Sequence, residues 1–566
     1  MTSVRTLRGT NSCPTVSSNS TPSLIIDRRQ TVRKRIPPHV FFPLTILAAI
    51  FSLCPGAPAQ ISTSQYDNAR TGAYLGEKTL TPQNVIAKQF GKIFTLRVDG
   101  DVYAQPLYVP GVEIPGKGTH NVIYIATEND TVYAFDAEGN PTTPLWQVSF
   151  ARPKSITAVP ADAVDCPFII PVVGITSTPV IDPKTGTLYV LARTRESAGY
   201  LHGTDYHQRL HALAITTGAE KFGGPVEIKA SVPGSGEGSA GGSVAFDPLR
   251  ENPRAGLLLV NGAVYLTWAS SCDVGPYHGW VIAYDAQTLK QKGVFNTSPD
   301  AGESGIWAGD TGPAADADGN LFVATGNGKF DAAAKGRDYG DSVLKLSLRP
   351  DGLALRDYFT PENQEQLNAS DSDLGSGGPV LLPDQPGPYP HLLLIGGKGA
   401  TLYLLDRDHL GKYEKVTHAD PIQAIPAASD ILSAPAYWNK HVYFLGSHDV
   451  LRDFTVDHAR LMLRKAAGGP KFTDPGATPT ISANGTKDGI VWVIATKTWN
   501  GTDRNAVLHA YDAANIQKEL YNTEENSARD RAGKALRFTI PTVVNGRVYI
   551  GANGEVDVYG LLPPGK

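Results

Sequence analysis

The sequence lacks the short motifs that identify many enzymes. It contains no Cys-x-x-Cys-His for an attached haem, no Gly-x-Ser-x-Gly nucleophile elbow and no Walker phosphate loop. Apolar residues at helical spacing are also nearly absent. Any function must therefore come from residues that a β-rich fold brings together.

Positive charge is scarce after the first 59 residues. Those residues hold seven of the 51 Lys and Arg and one of the 55 Asp and Glu, which leaves 44 basic against 54 acidic groups and a net charge near −10. A protein that binds nucleic acid needs a basic surface for the phosphates. The composition therefore argues against a nucleic-acid partner.

Residues 1–59 resemble a secretory leader. An uncharged run, HVFFPLTILAAIFSLC (39–54), precedes the small residues Ala-Pro-Ala (57–59), a cleavage pattern. The run is too short and too poorly flanked for a retained membrane span. A lipid-modified Cys54 and a twin-arginine signal at positions 28–29 are alternative interpretations.

The mature chain, residues 60–566, is expected to be exported to the periplasm or the extracellular space, without a membrane span. It keeps two of the four cysteines, Cys166 and Cys272. In an oxidising compartment these two could form a disulfide, and two buried free thiols are the alternative.

A pair of predicted strands with a similar amino-acid sequence recurs along the mature chain. The clearest copies are VIYIATENDTVYAFDA (122–137), TLYVLA (187–192) with RLHALAITTGAEKF (209–222), and PTVVNGRVYIGANGEVDVYGL (541–561). Five more copies bring the number to eight, with about 62 residues per unit. Each alternates apolar and polar residues and breaks at Asn-Gly, Asp-Gly or Gly-Asn turns, which is typical of antiparallel hairpins.

Eight copies predict an all-β fold, an eight-bladed β-propeller of four-stranded antiparallel blades in one domain. The last copy has no outer strand after VDVYGLL (556–562), whereas FGKIFTLRV (90–98) precedes the first copy as an unpaired strand. We expect this N-terminal strand to complete the last blade, since closure removes an exposed sheet edge.

The repeats resemble the eight-bladed quinoprotein alcohol dehydrogenases, which bind pyrroloquinoline quinone (PQQ) and a calcium ion on the propeller axis. The likeness spans nearly the whole mature chain, from YDNARTGAYLGEKTLTPQNV (66–85) through repeat ends such as YAFDA (133–137). The resemblance implies a PQQ-dependent oxidoreductase acting on alcohol or sugar-like hydroxyls.

Two segments resemble the part of that family that holds the metal and the face of the quinone. SSCDVGPYHGWVIAYD (270–285) places Asp273 as a calcium ligand, where the family has Glu. GIWAGDTGPAADADGNLFVATGNG (305–328) places Trp307 beneath the quinone and Asn327 as a second metal ligand. Oxygen ligands suit calcium, and an aromatic face suits a planar ring system.

Two further segments resemble the catalytic part. SDSDLGSGGPVLL (370–382) places Asp373 as the base that takes the hydroxyl proton. GGKGATLYLLDR (396–407) places Lys398 where a cation stabilises charge on the reduced quinone.

The sequence departs from the family at several positions. The adjacent-cysteine ring is missing, and CPFIIPVVGIT (166–176) has a single cysteine and no Arg-Gly. A bond between Cys166 and Cys272 would cover the same face by another route. Tyr103 stands where an acidic quinone contact is expected, and Gly375 replaces the extra acid of lanthanide-type relatives. Without an attached haem, electrons would need an external acceptor.

Each candidate residue type also suits a purely structural role. Asn327 lies in a Thr-Gly-Asn-Gly turn, Trp307 suits packing between blades, Asp273 and Asp373 suit turn caps, and Lys398 lies between glycines.

Three functions compete on this basis. The first is an exported oxidoreductase, whose five site residues must converge on one axial cavity. The second is a non-catalytic propeller that binds an envelope protein or a glycan through its long loops, with an exposed apolar patch on one face. The third is a hydrolase or lyase, which would show paired carboxylates beside an open groove.

Overall fold

The computed structural model describes residues 59–152, 154–197, 204–309, 311–414, 423–427, 429–496 and 505–563. The predicted leader, apart from its last residue, lies outside these ranges. Within them no helix is long and apolar enough to cross a membrane.

The described residues form eight antiparallel blades. Two N-terminal strands, β1 (Ala73–Tyr74) and β2 (Phe90–Asp101), come first and join the last two blades. Blade one contains β3 (Leu107–Ile114), β4 (Gly118–Thr127), β5 (Thr131–Asp136) and β6 (Trp146–Ser149). Blade two contains β7 (Ile156–Pro160), β8 (Val172–Val173), β9 (Val180–Asp182), β10 (Thr187–Ser197), β11 (Thr204–Ala214) and β12 (Val226–Glu227).

A separate hairpin precedes the third blade, β13 (Ser231–Pro233) with β14 (Ser243–Ala245). Blade three contains β15 (Leu258–Val260), β16 (Ala263–Trp268), β17 (Trp280–Asp285) and β18 (Gln291–Asn296). Blade four contains β19 (Ala314–Ala315), β20 (Leu321–Ala324), β21 (Val343–Arg349) and β22 (Gly352–Pro361). Blade five contains β23 (Val380–Leu381), β24 (Leu392–Gly397) and β25 (Thr401–Asp406), and then, after β26 (Lys412–Glu414), β27 (Gln423–Pro426).

The remaining blades complete the ring. Blade six contains β28 (Ala436–Trp438), β29 (His441–Phe444), β30 (Arg452–Asp457) and β31 (Arg460–Ala466). Blade seven contains β32 (Thr480–Asn484), β33 (Lys487–Thr496), β34 (Ala506–Asp512) and β35 (Glu519–Asn522), and blade eight contains β36 (Thr542–Val544) and β37 (Arg547–Leu561). Short helices lie in the connections, α1 (Gln364–Ala369), α2 (Ser527–Asp530) and the 3-10 turns Ala332–Ala334 and Leu374–Ser376.

The predicted closure by the N-terminal strand is confirmed. Strand β2 pairs antiparallel with β37, with Phe90 opposite Leu561 and Leu96 opposite Val556. Because the N-terminal strand β2 and the last strand β37 share one blade, the ring has no free edge at this point.

The blades differ in detail from uniform four-stranded sheets. Blade two carries the additional strands β7 and β8, which come from the long loop before it. Blades four and seven each gain a parallel strand, β26 and β1 respectively. Such additions are not part of the repeat, so the periodicity did not predict them.

The hydrophobic core lies between neighbouring blades. Tyr189 and Leu191 of blade two pack with Trp268 and Trp280 of blade three, and all four side chains are buried. The same kind of cluster joins the other neighbouring blades around the ring. Burying each large apolar side chain contributes about 1.5–3 kcal/mol, so the stability of a blade depends on its neighbours.

Repeated tyrosines also connect blades by hydrogen bonds. In four blades the tyrosine of the second core strand donates its hydroxyl to a backbone carbonyl of the next blade. The donors and acceptors are Tyr124 to Ile215 (3.0 Å), Tyr189 to Ala286 (2.6 Å), Tyr443 to Ala513 (2.8 Å) and Tyr549 to Ala137 (2.9 Å). Three of these acceptors directly follow the aspartate of the repeated Asp-Ala ending. The repeat therefore encodes both partners of the contact.

The N-terminal segment 61–74, called the axial segment below, contacts the innermost strand region of every blade. Its partners, from blade one to blade eight, are Tyr108, Ile181, Leu257 and Leu259, Ala315, Leu381, Tyr437, Ile481, and Pro541 and Val543. These bonds use backbone groups that would otherwise be buried without partners near the propeller axis.

Arg70 anchors the axial segment. Its guanidinium group is fully buried and donates to the carbonyls of Ser64, Leu257 and Pro313 and to the hydroxyl of Thr63. Gln65, Tyr66 and Arg70 have a left-handed backbone, with φ of 54°, 74° and 63°. Non-glycine residues persist in this conformation only where surrounding contacts determine it.

The tyrosine contact between blades six and seven can be tested by single substitutions. Tyr443→Phe should lower the free energy of unfolding by about 1–3 kcal/mol, because the buried carbonyl of Ala513 loses its donor. Tyr511→Phe is the matched control in the same cluster, since within the described residues its buried hydroxyl has no hydrogen-bond partner. Urea unfolding of both variants measures the difference, and equal losses would contradict this role.

Candidate functional site

A cavity of about 310 Å³ lies where loops of several blades converge. Its walls come from the second-to-third strand connections of blades three and five, from connections between blades, and from the long loop that precedes β9. The lining residues that matter below are Tyr103, Cys166, Phe168, Thr178, Arg254, Cys272, Asp273, Trp307, Asp371, Asp373, Lys398, Arg537 and Phe538. Four of the five predicted site residues line it, and the fifth, Asn327, is bonded directly to Asp373.

The axial segment lies next to this cavity. The backbone N–H of Gln65 donates to the side chain of Gln105 (2.9 Å), and the backbone N–H of Gln105 donates to the hydroxyl of Thr178 (2.9 Å). Since Thr178 lines the cavity, the same segment that connects the blades also supports the cavity wall.

Asp373 and Lys398 form a close ion pair at the cavity wall. Lys398 Nζ lies 2.5 Å from Asp373 Oδ2 and 3.0 Å from Asp371 Oδ1. The backbone positions the pair as well, because the N–H of Lys398 donates to the carbonyl of Asp373 (2.9 Å). Asp373 directly precedes the 3-10 turn Leu374–Ser376, and its side chain is only 2% exposed.

Burial raises the pKa of Asp373 to about 6, although the attraction of Lys398 acts in the opposite direction. For Lys398, burial lowers the pKa, but the charge of Asp373 and its hydrogen bond outweigh this, so the net pKa is raised. At neutral pH the pair is therefore ionised, with a carboxylate that is a stronger base than an exposed aspartate.

Asn327 contacts the acidic side of this pair. Its backbone N–H donates to Asp373 Oδ1 (2.7 Å), and its amide nitrogen donates to Asp371 Oδ1 (2.9 Å). Its Oδ1 is buried and has no hydrogen-bond partner in the described part of the chain. The neighbouring Gly326 is required here, because a Cβ at that position would lie 2.1 Å from Asp373 Oδ1 and 2.7 Å from Trp307 Nε1.

Trp307 and Asp273 are linked through Tyr277. The ring of Tyr277 meets that of Trp307 edge to face, with centroids 6.4 Å apart, and its hydroxyl donates to Asp273 Oδ1 (2.7 Å). Partial burial of the Asp273 carboxyl group raises its pKa, which the Tyr277 bond partly offsets. Tyr277 thus positions two of the predicted residues. This role is visible only from its contacts in the structure, because the sequence pattern does not mark Tyr277.

Cys166 and Cys272 are joined by a disulfide, and both residues line the cavity. The bond ties the loop that carries Phe168 to the loop between β16 and β17. It lies beside Asp273, on the wall that the sequence comparison assigned to a missing pair of adjacent cysteines.

Several lining residues were not predicted from the sequence. Arg254, Arg537 and Phe538 come from connections outside the recognised segments, and Asp371 lies two residues before Asp373. Arg254 and Arg537 are separated by 283 positions, and no local pattern marks them as neighbours.

The described residues do not contain a cluster of three or more His, Cys, Asp or Glu side chains arranged to hold a metal ion. Asp273 and the buried Oδ1 of Asn327 are the oxygens that the resemblance assigns to a cation. The single ammonium group of Lys398 pairs with both Asp371 and Asp373.

No family model and no curated protein sequence matches the chain. Solved structures do match it. A quinohemoprotein alcohol dehydrogenase, ADHIIG from Pseudomonas putida HK5, has a TM-score of 0.57 at 15% identity, covering 89% of this chain and 80% of that one. The corresponding enzyme from Comamonas testosteroni has a TM-score of 0.56 at 16% identity, covering 88% and 80%.

A europium-containing methanol dehydrogenase has a TM-score of 0.55 at 13% identity, covering 89% of this chain and 99% of that one. The predicted likeness is therefore confirmed for the fold. This chain has the eight-bladed propeller fold of the quinoprotein alcohol dehydrogenases. At these identities, the roles of individual residues must be argued from the site itself.

The coupling between Lys398 and Asp373 gives a direct test of the site's electrostatics. Lys398→Met should raise the pKa of Asp373 above about 6, because the charge that favours the carboxylate is removed while burial is unchanged. Infrared titration of the carboxyl band, assigned with Asp373→Asn, measures the change. Lys329→Met, which removes an exposed lysine paired with Asp331, is the control, and an unchanged or lower pKa in Lys398→Met would refute the coupling.

The disulfide should contribute to stability as well as to the cavity wall. The double variant Cys166→Ser and Cys272→Ser should lower the free energy of unfolding by about 2–4 kcal/mol, since the bond closes a loop between residues 106 positions apart. Urea unfolding with and without reductant checks this. Reductant should reproduce the loss in the unsubstituted protein and have no effect on the variant.

Proposed function

We propose that the protein is an oxidoreductase that oxidises the hydroxyl group of a small molecule in the axial cavity, with a planar quinone of the PQQ type as cofactor. The observation that carries this proposal is the buried Asp373–Lys398 pair at the cavity wall. A carboxylate with a pKa of about 6 beside an ammonium group can accept a hydroxyl proton at neutral pH.

The described residues fit a planar quinone. A cavity of about 310 Å³ falls within the usual range of ligand sites. Trp307 and the disulfide supply extended apolar surfaces, and Lys398 supplies a cation for negative charge that develops on a quinone oxygen. When bound, the quinone would accept the hydride from the carbon that carries the hydroxyl group.

The fit to calcium is only partial. Calcium takes six to eight oxygen ligands, whereas among the described residues the resemblance assigns it only Asp273 and the Asn327 amide oxygen, and Lys398 is a competing cation nearby. The proposed reaction therefore includes no step at a metal ion, and PQQ binding is measured with and without calcium.

The chain's own residues have separate tasks in this scheme. Asp373 takes the proton from the substrate oxygen, Lys398 keeps Asp373 ionised, and the N–H of Asn327 orients the carboxylate through Oδ1. The wall formed by Cys166 and Cys272 limits access of water to the reacting groups. Electrons then leave to an external acceptor outside the cytoplasm, which agrees with the predicted leader and with the disulfide.

A propeller that binds an envelope protein or a glycan without catalysis is the second candidate. Phe168 and Ile170 are 44% and 50% exposed on the loop beside the cavity, and they provide an apolar contact surface. Failure of the full-length protein to bind PQQ, with or without calcium, would favour this function.

The base role of Asp373 predicts a pH dependence. The kcat/KM for dye-linked oxidation of alcohols, measured with PQQ-loaded protein, should fall as the pH drops through about 6, because protonated Asp373 cannot accept a proton. Asp373→Asn should reduce turnover by about 100-fold or more and abolish this limb of the profile.

Asp331→Asn, which removes an acid on the surface turn next to Lys329, serves as the control and should keep the full profile. Asp373→Asn should still bind PQQ, as measured by quenching of tryptophan fluorescence. Normal turnover in Asp373→Asn would exclude the proposed base.

A further inference from the structure

Two arginines and two phenylalanines form a stack along one wall of the cavity. Arg254 Cζ lies 4.5 Å from the ring centroid of Phe538, and Arg537 Cζ lies 5.2 Å from the same centroid. Arg537 Cζ also lies 4.7 Å from the centroid of Phe168. All four side chains line the cavity, so two positive charges are held around one aromatic ring by cation–π contacts.

The neighbours hold these guanidinium groups in place. Arg254 Nε donates to the carbonyl of Gly309 (3.3 Å), and Arg537 Nη2 donates to Asp474 Oδ2 (2.7 Å). Arg537 is buried, and burial lowers its pKa, which the charge of Asp474 partly offsets. The side chain of Asp474 is 42% exposed, so water screens its charge more strongly than it screens the charge of the buried Arg537.

Among the described residues, Tyr103 is a titratable side chain that both arginines influence. Burial raises its pKa, and the positive charges of Arg254 and Arg537 act in the opposite direction. Its hydroxyl donates to the carbonyl of Phe168 (3.3 Å). At this position the cavity therefore presents a neutral phenol, which does not repel an anion.

The cavity wall carries charges of both signs. Asp273, Asp371 and Asp373 with Lys398 contribute one set, and Arg254 with Arg537 contribute a second, basic set. A ligand that fills the cavity is oriented by these two sets, because an anionic edge is attracted to the arginines and repelled by the aspartates.

We propose that Arg254 and Arg537, stacked on Phe538, form a binding site for the carboxylates of a planar aromatic polycarboxylate. The proposal deepens the proposed function, since it states how a PQQ-type ligand would be oriented. The carboxylates contact Arg254 and Arg537, and the reactive oxygens face Asp373 and Lys398. Guanidinium groups suit this role, because they bind carboxylates through paired donors and stack on aromatic rings.

The experiment compares three probes by isothermal titration calorimetry with the full-length protein. They are PQQ, the trimethyl ester of PQQ, which keeps the ring but lacks the carboxylate charges, and benzene-1,2,4-tricarboxylate, which lacks the quinone. The protein should bind PQQ about 100-fold more tightly than its ester. Arg254→Gln should weaken PQQ about 10- to 100-fold and leave the ester unchanged.

Three variants separate charge from folding. Arg537→Lys keeps the charge beside Asp474 and should lose less affinity than Arg537→Met. Arg464→Gln removes an arginine paired with Asp453 on blade six, away from the cavity, and should bind all probes normally. Thermal unfolding of each variant verifies that it is folded.

The outcomes distinguish this site from the proposed function. Equal affinity for PQQ and its ester, or an unaffected Arg254→Gln variant, would overturn the carboxylate site while leaving the quinone function in place. Binding of the tricarboxylate in an arginine-dependent manner, without binding of PQQ, would support the site and overturn the quinone. Binding of none of the probes would overturn both.

Discussion

The structure depends on hydrogen bonding between the axial segment and all eight blades. A propeller of this size leaves backbone groups of its innermost strands facing a narrow axis, and residues 61–74 satisfy these groups blade by blade. Arg70 adds a fully buried charge whose partners come from three separate parts of the chain. The segment also supports the cavity wall through Gln105 and Thr178, so the position of the site follows from the way the ring is filled.

Burial of charge determines what the cavity can do. Asp373 keeps a useful basicity because its carboxylate is withdrawn from water, and it remains ionised near neutral pH because Lys398 is in contact with it. Elsewhere on the cavity wall, Arg254 and Arg537 both contact the ring of Phe538. The aromatic rings and the disulfide of the cavity wall lower the local polarity. Lower polarity strengthens the electrostatic interactions of both sets of charges.

Sequence reasoning succeeded where a residue lies inside a repeated or recognisable segment. The eight copies predicted the blades, and the strand at 90–98 predicted how the ring closes. The four segments that resemble the quinoprotein family also predicted that five residues lie close together: Asp273, Trp307, Asn327, Asp373 and Lys398. The roles of these residues remain predictions. The extra strands β1, β7, β8 and β26 were missed because they are insertions outside the period. Arg254, Arg537 and Tyr277 were missed because their partners are distant in the chain or belong to another loop.

By itself, the sequence determined the all-β repeat, its number and the residues that each hairpin presents on one face. Alternating polarity and turn residues act over a few positions, so this information is local. Only the tertiary structure decided which side chains meet, because contacts across the axis join residues hundreds of positions apart. The disulfide joins loops of the neighbouring blades two and three, and the stack around Phe538 joins Arg254 to a residue near the end of the chain. The axial segment contacts all eight blades.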